Sequence, residues 1–369
     1  MSPPEHVLLT GGNGVVGSAV LVALCKAGYQ VRAVVRRQDA IDKATAHPLI
    51  KRLSSQIQWS IVPDISEPDA FLEVVMGCSY IVHVASPIPT VPPRPMDMRT
   101  PAQDGTKAIL NAAECEPLVK RVVITGSIAS LVNPGDPRFT HPNCETSETM
   151  PLMTGATYFP LPAERPDDNA PVFQRYVDSK IASGNLAREY AATNPESHFQ
   201  IVLLCPGWVL GPGLFITNRA EAMGTANLTL SWVMADLREV INPVLVGVPI
   251  EQMTPIRGEF VWIDDVALGH VRALSVPLPS RNNLEVWVMA VESPHGARIE
   301  DAQGIIKRRL PELAKKLTFP GKVRTHTVNF DATRAEDELL GKKYVPFEDQ
   351  VVRAVEWMIS LPGGEPPCP

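Results

Sequence analysis

The sequence has little charge, and it lacks the features of a membrane protein or a nucleic-acid-binding protein. Of its 369 residues only 20% are charged, and the net charge at pH 7 is -6. Nucleic acids and anionic membranes are usually bound by basic surfaces, so neither is an expected partner. The most apolar run, Ile201 to Leu210, is interrupted by Pro206 and is too short to span a bilayer. The first residues, MSPPEHVLLT, do not resemble a signal peptide, so we expect a cytoplasmic protein.

Paired cysteines and metal-ligand clusters are also missing. The chain has six cysteines, far apart and without a CxxC pair, at positions 25, 78, 115, 144, 205 and 368. This pattern is typical of reduced, structural cysteines. His141 and Cys144 form no ligand set with a nearby pair, so the sequence predicts no metal site.

The first half of the chain alternates short apolar runs with helix-length segments. Six runs read as strands, at residues 7–9, 31–35, 59–62, 80–85, 121–125 and 199–204. Such alternation predicts βαβ units and a parallel sheet with helices on both faces. Between the first two strands, Val15 to Ala27 has a helical pattern that ends at Gly28. We therefore predict an α/β fold with a doubly wound parallel sheet.

The second half is less regular, and its prolines mark loops. Residues 86–95 and 134–171 are too rich in proline for regular structure. After Pro206 the patterns predict a helix near 218–238, strands at 244–248, 285–290 and 322–330, and two closing helices. We predict a nucleotide-binding domain at 1–206 and a smaller, mainly substrate-binding region at 207–369. Some segments of that second region are expected to return to the sheet.

The stretch TGGNGVVG follows the first strand and opens the first helix. Its glycines satisfy both TGxxGxxG, with glycines 11, 14 and 17, and GxGxxG, with glycines 12, 14 and 17, so the letters alone leave two variants open. In either variant bare backbone permits a tight turn and close approach of a pyrophosphate at a helix N-terminus. This context predicts a Rossmann-type dinucleotide-binding unit.

Two arginines follow the second strand, where a site that prefers NAD commonly has an acidic residue. Arg36 and Arg37 stand there instead. A guanidinium can bind a 2′-phosphate through several N–H groups, so the sequence favours NADP(H).

Three further side chains suggest carbonyl chemistry. The stretch YVDSK places Tyr176 and Lys180 on one face of a helix, where an ammonium can stabilise a phenolate. Ser127 follows the fifth strand, at the edge where open α/β sheets bind ligands, and its hydroxyl can hold a carbonyl oxygen. Ser130 is an alternative to it.

With these residues in this order, the chain resembles the extended short-chain dehydrogenases/reductases, in the branch of dihydroflavonol reductases and aldehyde or methylglyoxal reductases. The resemblance extends over nearly the whole chain. The segments that carry it are TGGNGVVG, GYQVRAVVRR, VPDIS, VHVASP, DGTKAILNAA, VVITGSIAS, YVDSK, LCPGWVLGPG and FVWIDDVALGH.

The resemblance implies roles for particular residues. Tyr176 would be the general acid, Lys180 would bind the nicotinamide ribose and tune Tyr176, and Ser127 would orient the carbonyl. The other implied NADP(H)-binding residues are Gly11, Asn13, Gly14, Val15, Val16, Gly17, Arg36, Lys43, Asp64, Ile65, Val84, Ala85, Ser86, Pro206 and Val209.

Together these observations predict an NADPH-dependent reductase, monomeric or homodimeric, that acts on a small to medium hydrophobic ketone or aldehyde. A biosynthetic intermediate is one candidate substrate. Side chains that could cover it are Trp208, Phe215, Met223, Trp232 and Met234. Two alternatives stay open: an epimerase or dehydratase of nucleotide sugars that retains NAD, and a non-catalytic nucleotide sensor on the same fold.

Overall fold

The structure is a computed structural model of the full chain. It describes residues 5–86, 97–132, 151–161, 172–232, 234, 256–278, 283–317, 319, 325–326 and 328–363.

A parallel sheet of seven strands forms the centre of the molecule. Its strand order is β3-β2-β1-β4-β5-β6-β10, so the chain starts in the middle, runs to one edge and then crosses to the other side. The strands are β1 (His6–Thr10), β2 (Gln30–Val35), β3 (Ile57–Ile61), β4 (Tyr80–His83), β5 (Arg121–Thr125), β6 (Gln200–Pro206), β7 (Trp208–Leu210), β8 (Ile256–Arg257), β9 (Phe260–Trp262), β10 (Leu284–Met289) and β11 (Thr325–His326). Outside the main sheet, β7 pairs with β9, and β8 pairs with β11.

Helices cover the sheet in pairs. The α-helices are α1 (Val15–Lys26), α2 (Gln38–Ala46), α3 (Pro48–Leu53), α4 (Leu72–Val75), α5 (Arg99–Cys115), α6 (Val172–Thr193), α7 (Arg219–Met223), α8 (Ile263–Ala273), α9 (Asp301–Arg309), α10 (Pro311–Ala314) and α11 (Phe347–Ser360). Short 3-10 turns span Ser54–Gln56, Ile128–Leu131 and Ala226–Trp232, and a π-helix spans Ala335–Leu340. Helix α1 packs against α8, and α5 packs against α6. The crossovers from β1 to β2 through α1 and from β4 to β5 through α5 run in opposite directions along the sheet, so right-handed connections place α1 and α5, each with its packing partner, on opposite faces.

The central strands are apolar because both of their faces are covered. Every residue of β4 is buried, and in β1 only His6 is exposed. The register pairs Leu9 with Val82 and Val123 with Val202, which stacks β-branched and leucine side chains into continuous layers. Strand β3 forms one edge and is only partly buried. The predicted α/β, Rossmann-type fold is therefore confirmed.

Segments beyond residue 206 contribute to this sheet. Strand β10 pairs with β6, with Val286 opposite Leu203. The proposed division between 206 and 207 stays a prediction. None of the helices among the described residues has the length and apolar character needed to cross a membrane.

Some predicted elements differ from the structure. The predicted helix near 218–238 is wrong as a continuous element: α7 ends before Gly224, and a 3-10 turn follows it. The side chain of Asn227 explains this break, since its amide bonds both the N–H and the carbonyl of Gly211 (3.0 and 2.9 Å). Of the strand predicted at 322–330, the described part contains β11 and a bridge from Phe330 to Met153. The strand at 244–248 and most of both proline-rich loops lie outside the described residues.

Candidate active site

The glycine loop after β1 folds tightly onto itself. The N–H groups of Gly11 and Gly12 both donate to the carbonyl of Val34, at 3.1 and 3.4 Å. A Cβ on Gly17 would lie 1.9 Å from the Gly11 oxygen, and Gly11 itself has φ of 71°. Glycine is therefore required at both positions by the fold of the loop itself, whether or not a ligand is bound. They let α1 begin directly behind the strand.

The start of α1 is open to a ligand. Gly14 precedes the helix without a side-chain cap, and the first turn contains no acidic residue. Asn13 and Gly14 are exposed, and Val15 and Val16 are partly buried. Backbone N–H groups and the positive end of the helix dipole therefore face solvent at the carboxyl edge of the sheet. These residues fit the pyrophosphate of a dinucleotide.

The two arginines after β2 differ in their surroundings. Arg37 pairs with Asp39, with Nε 3.1 Å from the carboxylate. Arg36 is exposed and forms no ion pair with any described residue. Hydrogen bonds from Ser66 are the main reason that the pKa of Asp64 is lowered, and the positive charge of Arg36 adds a smaller effect in the same direction. Arg36 thus lies near the candidate adenine-binding segment.

Two other predicted cofactor residues already have protein partners. Lys43 Nζ lies 3.5 Å from the carboxylate of Glu221 on α7. Asp64 accepts hydrogen bonds from the backbone and the hydroxyl of Ser66, at 2.9 and 2.6 Å. Ile65 lines a small cavity below the loop that follows β4. To bind a phosphate, the ammonium group of Lys43 would have to leave the carboxylate of Glu221.

Thr10 fixes the loop that follows β4. Its hydroxyl accepts from the N–H of Ala85 (3.1 Å) and lies 2.9 Å from Nδ1 of His83. Burial, together with the charge of Lys180, lowers the pKa of His83 to about 3, so its ring is neutral. Val84, Ala85 and Ser86 follow, each partly buried.

Lys180 connects this loop to the long helix α6. Its ammonium donates to the hydroxyl of Ser86 at 3.0 Å and lies 5.6 Å from the centre of the Tyr176 ring. Ser127, after β5, accepts from the N–H of Ala129 at 3.1 Å, and its side chain is close enough to the Tyr176 phenol to lower the pKa of that group. The structure therefore brings residues 127, 176 and 180 together at the carboxyl edge of the sheet.

The contacts favour Ser127 over Ser130. The hydroxyl of Ser130 donates to the carbonyl of Ser127 (2.7 Å) and faces the sulfur of Cys205, 3.9 Å away. It thus points into the protein. A Cβ at Gly126 would come within 3.0 Å of Leu203 and 3.1 Å of Cys205, so this packing favours glycine directly before the site.

Burial sets the protonation of the site. Removal from water raises the pKa of Tyr176, although hydrogen bonding from Ser127 works in the opposite direction. The same burial lowers the pKa of Lys180 to about 8. The Tyr176 phenol is therefore protonated at neutral pH. Because the pKa of Lys180 is near neutral pH, a neighbouring charge can change the protonation of its amine.

A buried ion pair positions the helix that carries Tyr176. Asp178 forms two hydrogen bonds with Arg99 on α5; the Nε contact is 2.6 Å, and the other joins Nη2 to Oδ1. The two side chains are only 4% and 8% exposed. Asp178 belongs to YVDSK but faces away from the site, so it holds α6 onto α5.

The predicted substrate-covering residues do not all lie at this site. Met223 and Met234 are part of the hydrophobic core, and Phe215 contacts His47, with ring centres 5.9 Å apart. The side chain of Trp232 lies outside the described residues. Pro206 ends β6 and is buried, while Val209 in β7 is partly buried. Trp208 and Tyr176 both contact a third aromatic residue, which the sequence motifs do not indicate.

That residue is Phe173, one helical turn before Tyr176. Its ring centre lies 6.3 Å from that of Tyr176 and 6.1 Å from that of Trp208. Helical spacing could have revealed it, since residues three apart share a face. Among the described residues no group of three or more His, Cys, Asp or Glu side chains could hold a metal ion.

The strand order, the glycine loop and the open helix N-terminus define a Rossmann-type nucleotide-binding protein. The family model described as "NAD dependent epimerase/dehydratase family" matches residues 7–286. The chain belongs to this family, and the resemblance to extended short-chain dehydrogenases/reductases is confirmed.

Relatives and solved structures that cover nearly the whole chain agree with this family assignment. Ketoreductase azaE from Aspergillus niger is 30% identical over 371 residues, covering 96% of this chain and 98% of that protein. Ketoreductase sphI from Aspergillus fumigatus is 29% identical over 363 residues, with the same coverages. The structure of yeast methylglyoxal/isovaleraldehyde reductase Gre2 complexed with NADPH superposes with a TM-score of 0.72 at 21% identity, covering 96% and 98% of the two chains.

The buried ion pair predicts a large loss of stability in Asp178→Asn. Loss of the Asp178 charge breaks the buried pair with the Arg99 guanidinium, which should lower the free energy of unfolding by about 3–5 kcal/mol. Replacing both residues, Arg99→Met with Asp178→Leu, should recover most of this loss. Urea unfolding measures both effects. The control is Glu312→Gln, which removes an exposed pair with Lys315. Equal stabilities of Asp178→Asn and this control would contradict the positioning role.

Proposed function

We propose that the protein is an NADPH-dependent reductase that converts a small to medium hydrophobic ketone or aldehyde to an alcohol. The observation that carries the proposal is the meeting of Tyr176, Lys180 and Ser127 at the same carboxyl edge of the sheet as the open N-terminus of α1. The ketoreductase names of full-length relatives and the NADPH held by yeast Gre2 in its solved complex support the same chemistry.

The residues of this chain fit five parts of NADPH. The N–H groups at Asn13 to Gly17 would hold the pyrophosphate, and Arg36 with Lys43 would bind the 2′-phosphate. The segment from Val84 to Ser86, together with Lys180, would contact the nicotinamide ribose. Asp64 and Ile65 would border the adenine, and Pro206 and Val209 would adjoin the nicotinamide. When bound, NADPH supplies the hydride for the carbonyl carbon.

Tyr176 is the proposed proton donor. Its pKa is raised by burial, so the phenol keeps its proton at neutral pH, which is the form that reduction requires. Ser127 would hold the substrate oxygen within reach of this phenol, and Lys180 would stabilise the phenolate left after proton transfer. Substrate orientation and charge stabilisation are thus the contribution of these side chains.

Tyr176→Phe should abolish measurable reduction while NADPH binding stays intact. Loss of a general acid commonly lowers the rate by about 10²–10⁴-fold, and the ring that packs beside Phe173 is kept. NADPH oxidation followed by absorbance and cofactor titration by calorimetry measure the two properties. Tyr190→Phe is a control on the same helix, because that hydroxyl bonds Glu114. Turnover near the wild-type rate in Tyr176→Phe would remove this residue from its role.

Arg36→Glu should raise KM for NADPH by about 10–100-fold, the effect of losing a charge-assisted hydrogen bond, and should change KM for NADH much less. Arg37→Glu is the matched control, since Arg37 already pairs with Asp39. Steady-state kinetics with both cofactors at fixed carbonyl substrate gives the comparison. Identical changes for NADPH and NADH would refute the assignment of Arg36 to the 2′-phosphate.

A further inference from the structure

Three aromatic rings form a continuous row that begins at the reactive phenol. Tyr176 is followed by Phe173 and then by Trp208, with centre-to-centre distances of 6.3 and 6.1 Å. The planes of Phe173 and Trp208 differ by only 15°, and those of Phe173 and Tyr176 by 32°. We call these three residues the aromatic row. Its ring planes are therefore close to parallel to one another.

The backbone positions of Phe173 and Trp208 are both fixed by contacts within the protein. Phe173 is in α6, which is fixed to α5 by the Asp178–Arg99 pair. Trp208 begins β7, and its N–H donates to the carbonyl of Glu259 at 2.7 Å. Its neighbour Gly207 leaves no room for a side chain, since a Cβ there would lie 2.1 Å from that same oxygen. The spacing of the rings is therefore set before a substrate arrives.

Phe173 is 44% exposed, although phenylalanine is among the residues most often fully buried. Covering such a ring with an apolar group releases water and is favourable by roughly 25 cal/mol per Å² of buried area. A flat aromatic group gains more than an aliphatic one of equal size, because parallel rings attract each other beyond the effect of area. The row thus favours a planar ligand.

We propose that Phe173 and Trp208 bind the aryl part of the substrate, so that the substrate class is aryl ketones or aldehydes. This inference rests on the proposed function, because the carbonyl is placed at Tyr176. A substrate held there extends over Phe173, one turn away, and a second fused ring reaches toward Trp208. Phe173 is a specificity-determining residue, and two fused rings are preferred to one.

The test compares binding of matched ketones in the presence of NADP⁺, which cannot reduce them. 2-Acetylnaphthalene and its fully saturated analogue have the same skeleton but differ in planarity and π-electrons. Aromatic pairing of roughly 0.5–1.5 kcal/mol corresponds to about 2–12-fold tighter binding of the aryl ketone by the wild type. Calorimetry gives the two dissociation constants.

Phe173→Leu keeps an apolar side chain but removes the ring, so the aryl preference should fall to less than half of the wild-type ratio. Phe173→Tyr retains the ring and should retain the preference. The control is Phe319→Leu, which removes a ring that contacts Lys307 and should leave the ratio unchanged. All variants should bind NADP⁺ as the wild type does.

Two outcomes separate this inference from the proposed function. Equal binding of the two ketones by the wild type, or an unchanged preference in Phe173→Leu, overturns the role of the aromatic row even if the protein is an active reductase. Preferential aryl binding that depends on Phe173, without oxidation of NADPH by any carbonyl, supports the row and refutes the reductase.

Discussion

The hydrogen bond from Lys180 to Ser86 is the contact on which the arrangement of the site depends. It joins α6, which carries Tyr176, to the loop after β4, at 3.0 Å and at a position that is largely buried. Since Tyr176 lies one turn before Lys180, fixing the lysine also fixes the phenol. Thr10 ties the same loop to β1 and therefore to the glycine loop. The candidate cofactor-binding and proton-donating groups thus belong to one connected network.

Burial gives this network its chemical character. It lowers the pKa of Lys180 to about 8, keeps His83 neutral and raises the pKa of Tyr176. A second cation close to Lys180 would oppose its charge, so a neutral His83 is compatible with the ammonium that the proposed mechanism requires. Opposite charge is instead placed on the far side of α6, where Asp178 binds Arg99 and cannot neutralise the lysine.

Features encoded by nearby residues were predictable from the sequence. The β1–α1–β2 unit follows from apolar runs around TGGNGVVG, and helical spacing alone places Tyr176 and Lys180 on one face. The strand runs were predicted to within a few residues because parallel strands buried on both faces are continuously apolar.

Features that depend on distant contacts were not predictable. The Arg99–Asp178 pair joins residues 79 positions apart, and a lone aspartate in YVDSK does not indicate its partner. The helix expected near 218–238 is broken because Asn227 bonds the backbone of Gly211, which no periodicity reveals. Phe173 shares a helix face with Tyr176, but only the folded chain shows that its ring lies beside that of Trp208.

Transfer of deuterium from the cofactor to the product tests the proposed chemistry most directly. The wild type would be incubated with NADPH carrying deuterium at the transferable C4 position and with 2-acetylnaphthalene, and the product analysed by mass spectrometry and NMR. The account predicts an alcohol with deuterium on the carbinol carbon and a hydroxyl proton derived from water. Oxidation of the cofactor with no deuterium in the alcohol, or no alcohol from any carbonyl tested, would contradict it.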